Sequence, residues 1–236
     1  MKKNRFATEA KKTKPEPKGP SNVILLSAGE GKRMRSMGNR SLIELKDGNT
    51  ILDYQLAAIR QQYPNAHVTI VIGFEAHKFY KIPGLHLIEN ENFNETNVPR
   101  GIGLAVNALG CGGALCIYGD LIFNGAAIAK ITGDESVVIV DNSEQIRESE
   151  IGVSVDGPYA SFFAYGLKMK WAQMAYFTGN EFRLLKKLCN HCDNFKLCGF
   201  EILNRIIEMG GKFKIVENAD SKLIEVDNIK DLTGYI

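Results

Sequence analysis

The chain of 236 residues lacks any run of about 18 consecutive apolar residues, the length that a membrane-spanning helix needs. Its N-terminal lysines are not followed by the apolar segment of a secretory signal. Without such a signal, an odd number of cysteines (five) favours reduced thiols in the cytoplasm. These absences predict a cytoplasmic protein without a membrane span. The apolar content of 44% is ordinary for a globular core.

The sequence also lacks internal repeats and interdomain linkers, so we expect one folded domain over residues 21–236. Residues 1–20 differ in composition, because they carry seven Lys and Arg residues against two Glu, three prolines and few large apolar side chains. Such a segment buries too little surface to offset the entropy of ordering, and we expect a disordered basic tail. A tail of this charge suits nucleic acid or an acidic partner, but a solvated extension explains it as well. The body shows no nucleic-acid module, and the sequence predicts no oligomeric state.

Apolar segments of strand length alternate with segments of helical spacing over the first 140 residues. The predicted strands are residues 23–26, 41–45, 67–72, 85–88, 114–118, 136–140, 161–167, 213–216 and 223–227. The predicted helices are residues 51–59, 75–80, 102–109, 180–188 and 200–208, and Thr50 is placed to cap the first of them. Strands that alternate with helices indicate an α/β fold with a mostly parallel sheet. Ligands in such folds bind at the carboxyl ends of the strands, where Gly29, Gly73 and Asp120 lie.

The segment Ala28-Gly29-Glu30-Gly31-Lys32-Arg33-Met34 directly follows the first apolar strand. Two glycines allow the backbone to approach a phosphate closely and to donate its N–H groups, and Lys32 and Arg33 add positive charge. A plain tight turn would explain the glycines equally well. The segment is neither a Walker loop nor a complete dinucleotide fingerprint.

In its wider context the segment resembles the signature of the sugar-phosphate nucleotidyltransferase family, Ala-Gly-x-Gly-x-Arg-Met followed by Pro-Lys-x-Leu. Here Asn39-Arg40-Ser41-Leu42 stands in place of the second motif. Arg40 keeps the positive charge, but arginine binds phosphate through paired N–H groups whereas lysine is a point charge. Gly73-Phe74 is similar to the family's Gly-Tyr, and Gly119-Asp120 to its metal-binding Gly-Asp. Asp227, in Ile224-Glu225-Val226-Asp227, is similar to the family's second metal-binding aspartate.

Residues 90–97 resemble the Asn-x-x-Tyr-x-x-Thr-Asn stretch of phosphocholine cytidylyltransferases. The resemblance implies a Rossmann-like three-layer fold with a mixed, mostly parallel central sheet, and a Mg²⁺-dependent nucleotidyltransferase. It implies transfer of a nucleoside monophosphate, with CTP as the favoured donor, to a small phosphorylated acceptor such as a sugar phosphate or phosphocholine. The implied residues are Lys32, Arg33 and Arg40 for catalysis, Asp120 and Asp227 for Mg²⁺, Glu201 for the acceptor, and Leu26, Ser27, Ala28, Gly29, Glu30, Gly31, Gly73, Asn92, Thr96 and Asn97 for the nucleotide.

Three other interpretations remain open at this stage. A non-catalytic relative would bind nucleotide without releasing pyrophosphate, a guanylyl- or uridylyltransferase would prefer another donor, and a nucleic-acid-associated protein would depend on its basic tail. Cys189, Cys192 and Cys198 with His191 are ligand types that zinc takes. Their spacing at a predicted helix end turns His191 away from the cysteines, so a set of part-buried thiols is the competing interpretation.

Overall fold

The computed structural model describes residues 19–31, 37–110, 112–142, 146–218 and 223–235. Its strands are β1 (Asn22–Ser27), β2 (His67–Ile72), β3 (His86–Glu89), β4 (Ala114–Tyr118), β5 (Leu121–Phe123), β6 (Val137–Asp141), β7 (Ile151–Asp156), β8 (Tyr159–Tyr165), β9 (Met169–Phe177), β10 (Lys214–Glu217) and β11 (Leu223–Glu225). Its α-helices are α1 (Ile51–Gln62), α2 (Ala76–Phe79), α3 (Val98–Ala108), α4 (Gly179–Cys189) and α5 (Gly199–Glu208).

Nine strands form one sheet in the order β3-β2-β1-β4-β9-β6-β10-β8-β7. The first four are parallel neighbours, and β9 runs antiparallel between β4 and β6. Following the pairings across the sheet, seven strands run in one direction, and only β8 and β9 oppose them. This confirms the expected mixed, mostly parallel sheet.

Helices cover both faces of the sheet. Successive side chains of a strand point to opposite sides, so one strand contributes to the core on each face. In β1, Val23 and Leu25 pack into a core with α1 and α2, whereas Ile24 belongs to the core under α3, α4 and α5. These residues are fully buried. An apolar run such as residues 23–26 is therefore typical of a strand buried on both faces. The two cores establish the three-layer α/β architecture.

A small second sheet attaches the C-terminal segment to the body. Strand β11 pairs antiparallel with β5, so Glu225 lies opposite Leu121. A separate apolar cluster beneath this pair anchors the segment, and its buried members are Ile43, Leu45, Ile51, Ile122, Val226 and Leu232. The pairing brings a chain segment more than 100 residues distant in sequence to the end of β4.

Residues 41–45 do not form the predicted strand. The structure has a 3-10 helix at Arg40–Leu42 instead, and Glu44 makes only an isolated bridge with Thr50. Ile43 and Leu45 belong to the small C-terminal cluster, which explains their strand-like alternation, whereas Leu42 packs against the core under α1 and α2. The predicted cap of α1 is confirmed, because Thr50 and Asp53 form a reciprocal capping box.

The sequence prediction missed β5, β7 and β9. Strand β9 crosses the centre of the sheet, but Lys170 and Gln173 interrupt its apolar pattern. Gln173 has φ of 56°, where the pairing of β9 with β6 shifts register. A bulge of this kind breaks the period of two on which strand recognition depends.

Two residues of the predicted basic tail are described, and both lie against the body: Pro20 is buried, and Gly19 packs beside Tyr63. The rest of the tail, residues 1–18, lies outside the described residues, as do Lys32 and Arg33. None of the helices in the described part of the chain combines the length and apolar character needed to cross a membrane.

Candidate active site

The glycine-rich turn and two other strand ends meet at one edge of the sheet. β2, β1 and β4 are parallel neighbours, so their carboxyl ends lie side by side. The N–H of Phe74 donates to the carbonyl of Ala28 at 3.0 Å, and the N–H of Gly119 donates to that of Leu26, also at 3.0 Å. The predicted convergence of Gly29, Gly73 and Asp120 on this edge is thus present in the structure.

Two glycines are required here by close packing. A Cβ atom on Gly119 would lie 2.5 Å from both Ser27 Oγ and Ser41 Oγ. A Cβ atom on Gly73 would lie 2.7 Å from the Cβ of Phe93. In contrast, a Cβ atom on Gly29 would meet no atom of the described residues within 4 Å. Space for a ligand therefore lies over Gly29, whereas Gly73 and Gly119 allow the neighbouring segments to pack closely.

The 3-10 turn that carries Arg40 is fixed to these strand ends by buried hydrogen bonds. The side-chain amide of Asn39 donates to the carbonyls of Ser27 at 2.8 Å and Phe74 at 3.1 Å. Ser41 Oγ lies 2.8 Å from the carbonyl oxygen of Gly119. Asn39 and Ser41 are 2% exposed, so the backbone on both sides of Arg40 is held in place.

Arg40 joins the two predicted metal ligands. Its guanidinium makes a salt bridge of 2.7 Å to Oδ2 of Asp120 and one of 3.4 Å to Oδ1 of Asp227, and it donates to the carbonyl of Val226 at 3.2 Å. The N–H of Val226 donates to the carbonyl of Asp120 at 2.9 Å, which holds the end of β11 beside the end of β4. Two carboxylates separated by 107 positions in the chain thus share one cation.

The oxygen atoms of Asp120 suit a hard divalent cation. Its carboxyl is buried, and Oδ1 has no hydrogen-bond partner among the described residues. Burial raises the pKa of this carboxyl above its ordinary value, although Arg40 acts in the opposite direction. A buried carboxylate oxygen without a partner is costly unless a ligand satisfies it. Carboxylate oxygens are the ligands that Mg²⁺ takes in proteins, so Asp120 and Asp227 fit such an ion.

A narrow cleft opens between the glycine loop and α3. The stretch identified at residues 90–97 forms one wall, where the Asn90 side chain donates to Thr96 Oγ1 at 3.0 Å. Asn97 caps α3 by accepting the N–H of Val98 at 2.8 Å. Asn92 is exposed, and its backbone carbonyl accepts from Thr96 Oγ1. The cleft is lined by Leu26, Ala28, Gly29, Val71, Asn90, Phe93, Thr96, Asn97, Val98 and Gly101.

A second cavity of about 250 Å³ lies beside this cleft, shares Asn97 and Val98 with it, and reaches Asp227. Aromatic side chains form part of its wall, and three carboxylates line it together with them. These residues are Tyr118, Tyr165, Trp171 and Phe200, and Glu150, Glu225 and Asp227. Burial raises the pKa of the Glu225 carboxyl, which lies 3.3 Å from Lys170 Nζ and accepts a hydrogen bond from Gln173.

Glu225 and Lys170 were not among the predicted site residues. Glu225 precedes Asp227 by two positions in the predicted strand 223–227, so alternation alone would have placed both on one side. Nothing in the local sequence identifies Lys170, because it enters the site from β9. Glu201, predicted to bind the acceptor, accepts the N–H of Cys198 at 2.6 Å and so caps its own helix, α5.

The cysteines occupy different environments. Cys189 is fully buried, Cys192 is exposed, and Cys198 lies beside Asn97, whose amide is 3.7 Å from its Sγ. The one group of metal-ligand side chains found among the described residues, which comprises His191, Cys192 and Asp193, is exposed and contains neither of the other two cysteines. The described structure therefore favours separate thiols over a shared zinc site.

A family model described as the MobA-like NTP transferase domain matches residues 23–171. The chain therefore belongs to the MobA-like NTP transferase family, a class defined by transfer of nucleotidyl groups. No curated protein sequence matches the chain. The match covers the glycine loop, Arg40 and Asp120, and it ends before Asp227.

Solved structures extend the likeness over almost the whole chain. The CTP:phosphocholine cytidylyltransferase LicC from Streptococcus pneumoniae has a TM-score of 0.75 at 14% identity, with 91% of this chain and 97% of that chain covered. The inositol-1-phosphate CTP transferase from T. maritima has a TM-score of 0.74 at 17% identity, with 91% of this chain and 92% of that chain covered. A nucleoside-diphosphate-sugar pyrophosphorylase from Vibrio cholerae has a TM-score of 0.67 at 10% identity, with 90% of this chain and 98% of that chain covered. At such identities the likeness establishes the Rossmann-like fold.

Proposed function

We propose that this protein transfers a nucleoside monophosphate from a nucleoside triphosphate, with CTP as the favoured donor, to a small phosphorylated acceptor, releasing pyrophosphate. The observation that carries the proposal is the buried Asp120 carboxyl, which shares Arg40 with Asp227 and has an unsatisfied oxygen, at the strand ends beside the glycine loop. Anionic phosphates and a divalent cation complement this combination of backbone N–H groups, a guanidinium and two carboxylates.

Each part of the site has a role in this reaction. The backbone of residues 28–31 binds the triphosphate, and Lys32 and Arg33 are proposed to add positive charge to it. Asp120 and Asp227 hold Mg²⁺, which when bound neutralises charge on the donor's phosphates. The acceptor phosphate is already ionised and needs no general base, so catalysis rests on positioning and charge stabilisation. The cleft bounded by Thr96 and Asn97 receives the base and sugar.

The acceptor is proposed to occupy the second cavity. Aromatic faces and carboxylates together favour a cationic group, because a cation is attracted both by π-electron density and by negative charge. Trp171 supplies an aromatic side chain, and the three carboxylates outnumber Lys170, which pairs with both Glu150 and Glu225. A phosphorylated choline, which carries a cationic group, therefore fits this cavity better than the phosphate of an uncharged sugar does. The names of two structural neighbours, the phosphocholine and inositol-1-phosphate enzymes, are consistent with CTP as donor.

The direct test is pyrophosphate release over a matrix of donors and acceptors with Mg²⁺. CTP, UTP, GTP and ATP would each be combined with phosphocholine, inositol 1-phosphate and glucose 1-phosphate. We expect release to be greatest for CTP with phosphocholine and to require the acceptor. A clear preference for UTP or GTP would refute the donor assignment. Nucleotide binding without release for any pair would instead indicate a non-catalytic relative.

A further inference from the structure

Arg40 is paired with both of the carboxylates that a divalent cation would use. Its guanidinium contacts Asp120 at 2.7 Å, Asp227 at 3.4 Å and the carbonyl of Val226 at 3.2 Å. A guanidinium is always charged and cannot vacate these oxygens by losing its proton. The internal cation and a metal ion therefore compete for the same carboxylates.

The guanidinium can leave this position without a change in the backbone. Its side chain is 25% exposed, while Asn39 and Ser41 hold the turn on either side through buried hydrogen bonds. The stem of Arg40 also runs along the glycine loop, because a Cβ atom on Gly31 would lie 3.0 Å from its Nε. Rotation about side-chain bonds is thus sufficient to exchange carboxylate contacts for contacts with a phosphate at the loop.

We infer that Arg40 is an internal counter-ion that excludes the divalent cation until nucleotide binds. In the free protein the guanidinium is the counter-ion that Asp120 and Asp227 share. The phosphates of the nucleotide then draw it towards the glycine loop, which frees the carboxylates for the metal ion. Metal and nucleotide binding are positively coupled through this one side chain. The inference rests on the proposed metal site and adds the order in which that site is filled.

The inference predicts that Arg40→Gln has opposite effects on the two ligands. Without the guanidinium, Asp120 and Asp227 lose the counter-ion that they share, so Mn²⁺ alone should bind this variant about tenfold more tightly than the wild type, within the usual range of coupling between sites. Mn²⁺ is a suitable probe because it prefers the same oxygen ligands as Mg²⁺. CTP in the presence of EDTA should bind more weakly, because a phosphate contact is lost. A merely structural role for Arg40 would weaken both.

Both affinities would be measured by titration calorimetry on the full chain. Arg60→Gln, at an exposed position of α1, removes the same charge and should change neither affinity. Arg40→Lys keeps one charge but lacks paired N–H groups, so it should shift both affinities in the same directions by less. This second variant also serves if Arg40→Gln does not fold.

Unchanged or weaker Mn²⁺ binding in both Arg40 variants would overturn the inference. The metal site itself is tested separately by Asp120→Asn, which should abolish Mn²⁺ binding in the wild-type and the Arg40→Gln backgrounds. Equal Mn²⁺ binding by wild type and Arg40→Gln would contradict the role of Arg40 as an internal counter-ion but would still support the metal site. Absence of Mn²⁺ binding in both would reject the metal site, and with it this part of the proposed function.

Discussion

Gly119 and Gly29, which lie in two different motifs of the site, differ in the space that surrounds them. Gly119 has no room for a side chain, since Ser27 Oγ and Ser41 Oγ would each lie 2.5 Å from its Cβ. These hydroxyls are buried and belong to residues fixed by neighbouring strands and turns. Gly29 faces open space. Gly119 therefore preserves the placement of Asp120, and Gly29 leaves room for a ligand.

Gly119→Ala and Gly29→Ala form a matched pair that tests this difference. We expect Gly119→Ala to lower the free energy of unfolding by about 1–3 kcal/mol, the usual cost of overpacking, and to reduce turnover by displacing Asp120. Gly29→Ala should unfold like the wild type and affect only nucleotide affinity. Urea unfolding and nucleotide titration of both variants provide the measurements. Equal stability of the two variants would contradict the packing argument.

The residue-level prediction from sequence succeeded where a residue directly follows a predicted strand. Gly29, Gly73 and Asp120 were located this way, because parallel strands bring their carboxyl ends to one edge. The contact of Arg40 with Asp227 was not predictable, since 187 positions separate them and only the pairing of β11 with β5 joins them. Lys170 was missed for the same physical reason, because non-local strand pairing brings β9 to Glu225, whereas Glu225 itself could have been found from its spacing to Asp227.

At the scale of secondary-structure elements, Glu75 ties α2 to the turn that carries Arg40. Its carboxylate accepts the N–H of Asn39 at 2.9 Å and pairs with Lys78 at 2.7 Å. Glu75 has φ of 57°, a backbone conformation that is uncommon outside glycine. The hydrogen bond with Lys78, followed by that from Asn39, holds the pKa of this carboxyl below its ordinary value of 4.5 despite some desolvation.

Glu75→Gln should weaken this link in a pH-dependent manner. A carboxyl with a lowered pKa in the folded state adds stability above its ordinary pKa, and that stability is lost as the pH falls through the folded value. We therefore expect Glu75→Gln to lose about 1 kcal/mol at pH 7, and the difference from wild type to shrink below pH 4.5. The measurement is thermal unfolding of both proteins from pH 7 to below pH 4.5, with Glu208→Gln at an exposed position as the control. A deficit that persists unchanged at low pH would be the contrary result.

The elements themselves were predictable where one local signal dominated. Helix α1 combines apolar spacing with the Thr50 capping box, β1 contains the apolar run of residues 23–26, and β2 is rich in β-branched residues. Strand β9 was missed because Lys170 and a bulge at Gln173 disturb its pattern. Gln173 lines the second cavity, and Lys170 pairs with Glu150 and Glu225, which line it. Backbone strain and buried charge are common at functional sites.

At the scale of the whole molecule, the site is made by the sheet as a unit. The glycine loop follows β1, Asp120 follows β4, and Asp227 follows β11, while β9 supplies the floor of the second cavity through Trp171. The α/β class follows from the alternation of strands and helices in the sequence. The strand order does not, because β9 inserts between β4 and β6 from far along the chain.

Mg²⁺-dependent release of pyrophosphate by the wild type and by Asp120→Asn tests the central claim most directly. The substitution preserves the size of a buried side chain but removes its charge, so far-UV circular dichroism should be unchanged. With CTP and phosphocholine, the wild type should release pyrophosphate, and Asp120→Asn should be slower by about 100-fold or more, as expected when an electrostatic contribution to the transition state is lost. A folded Asp120→Asn protein with near wild-type release would contradict the account.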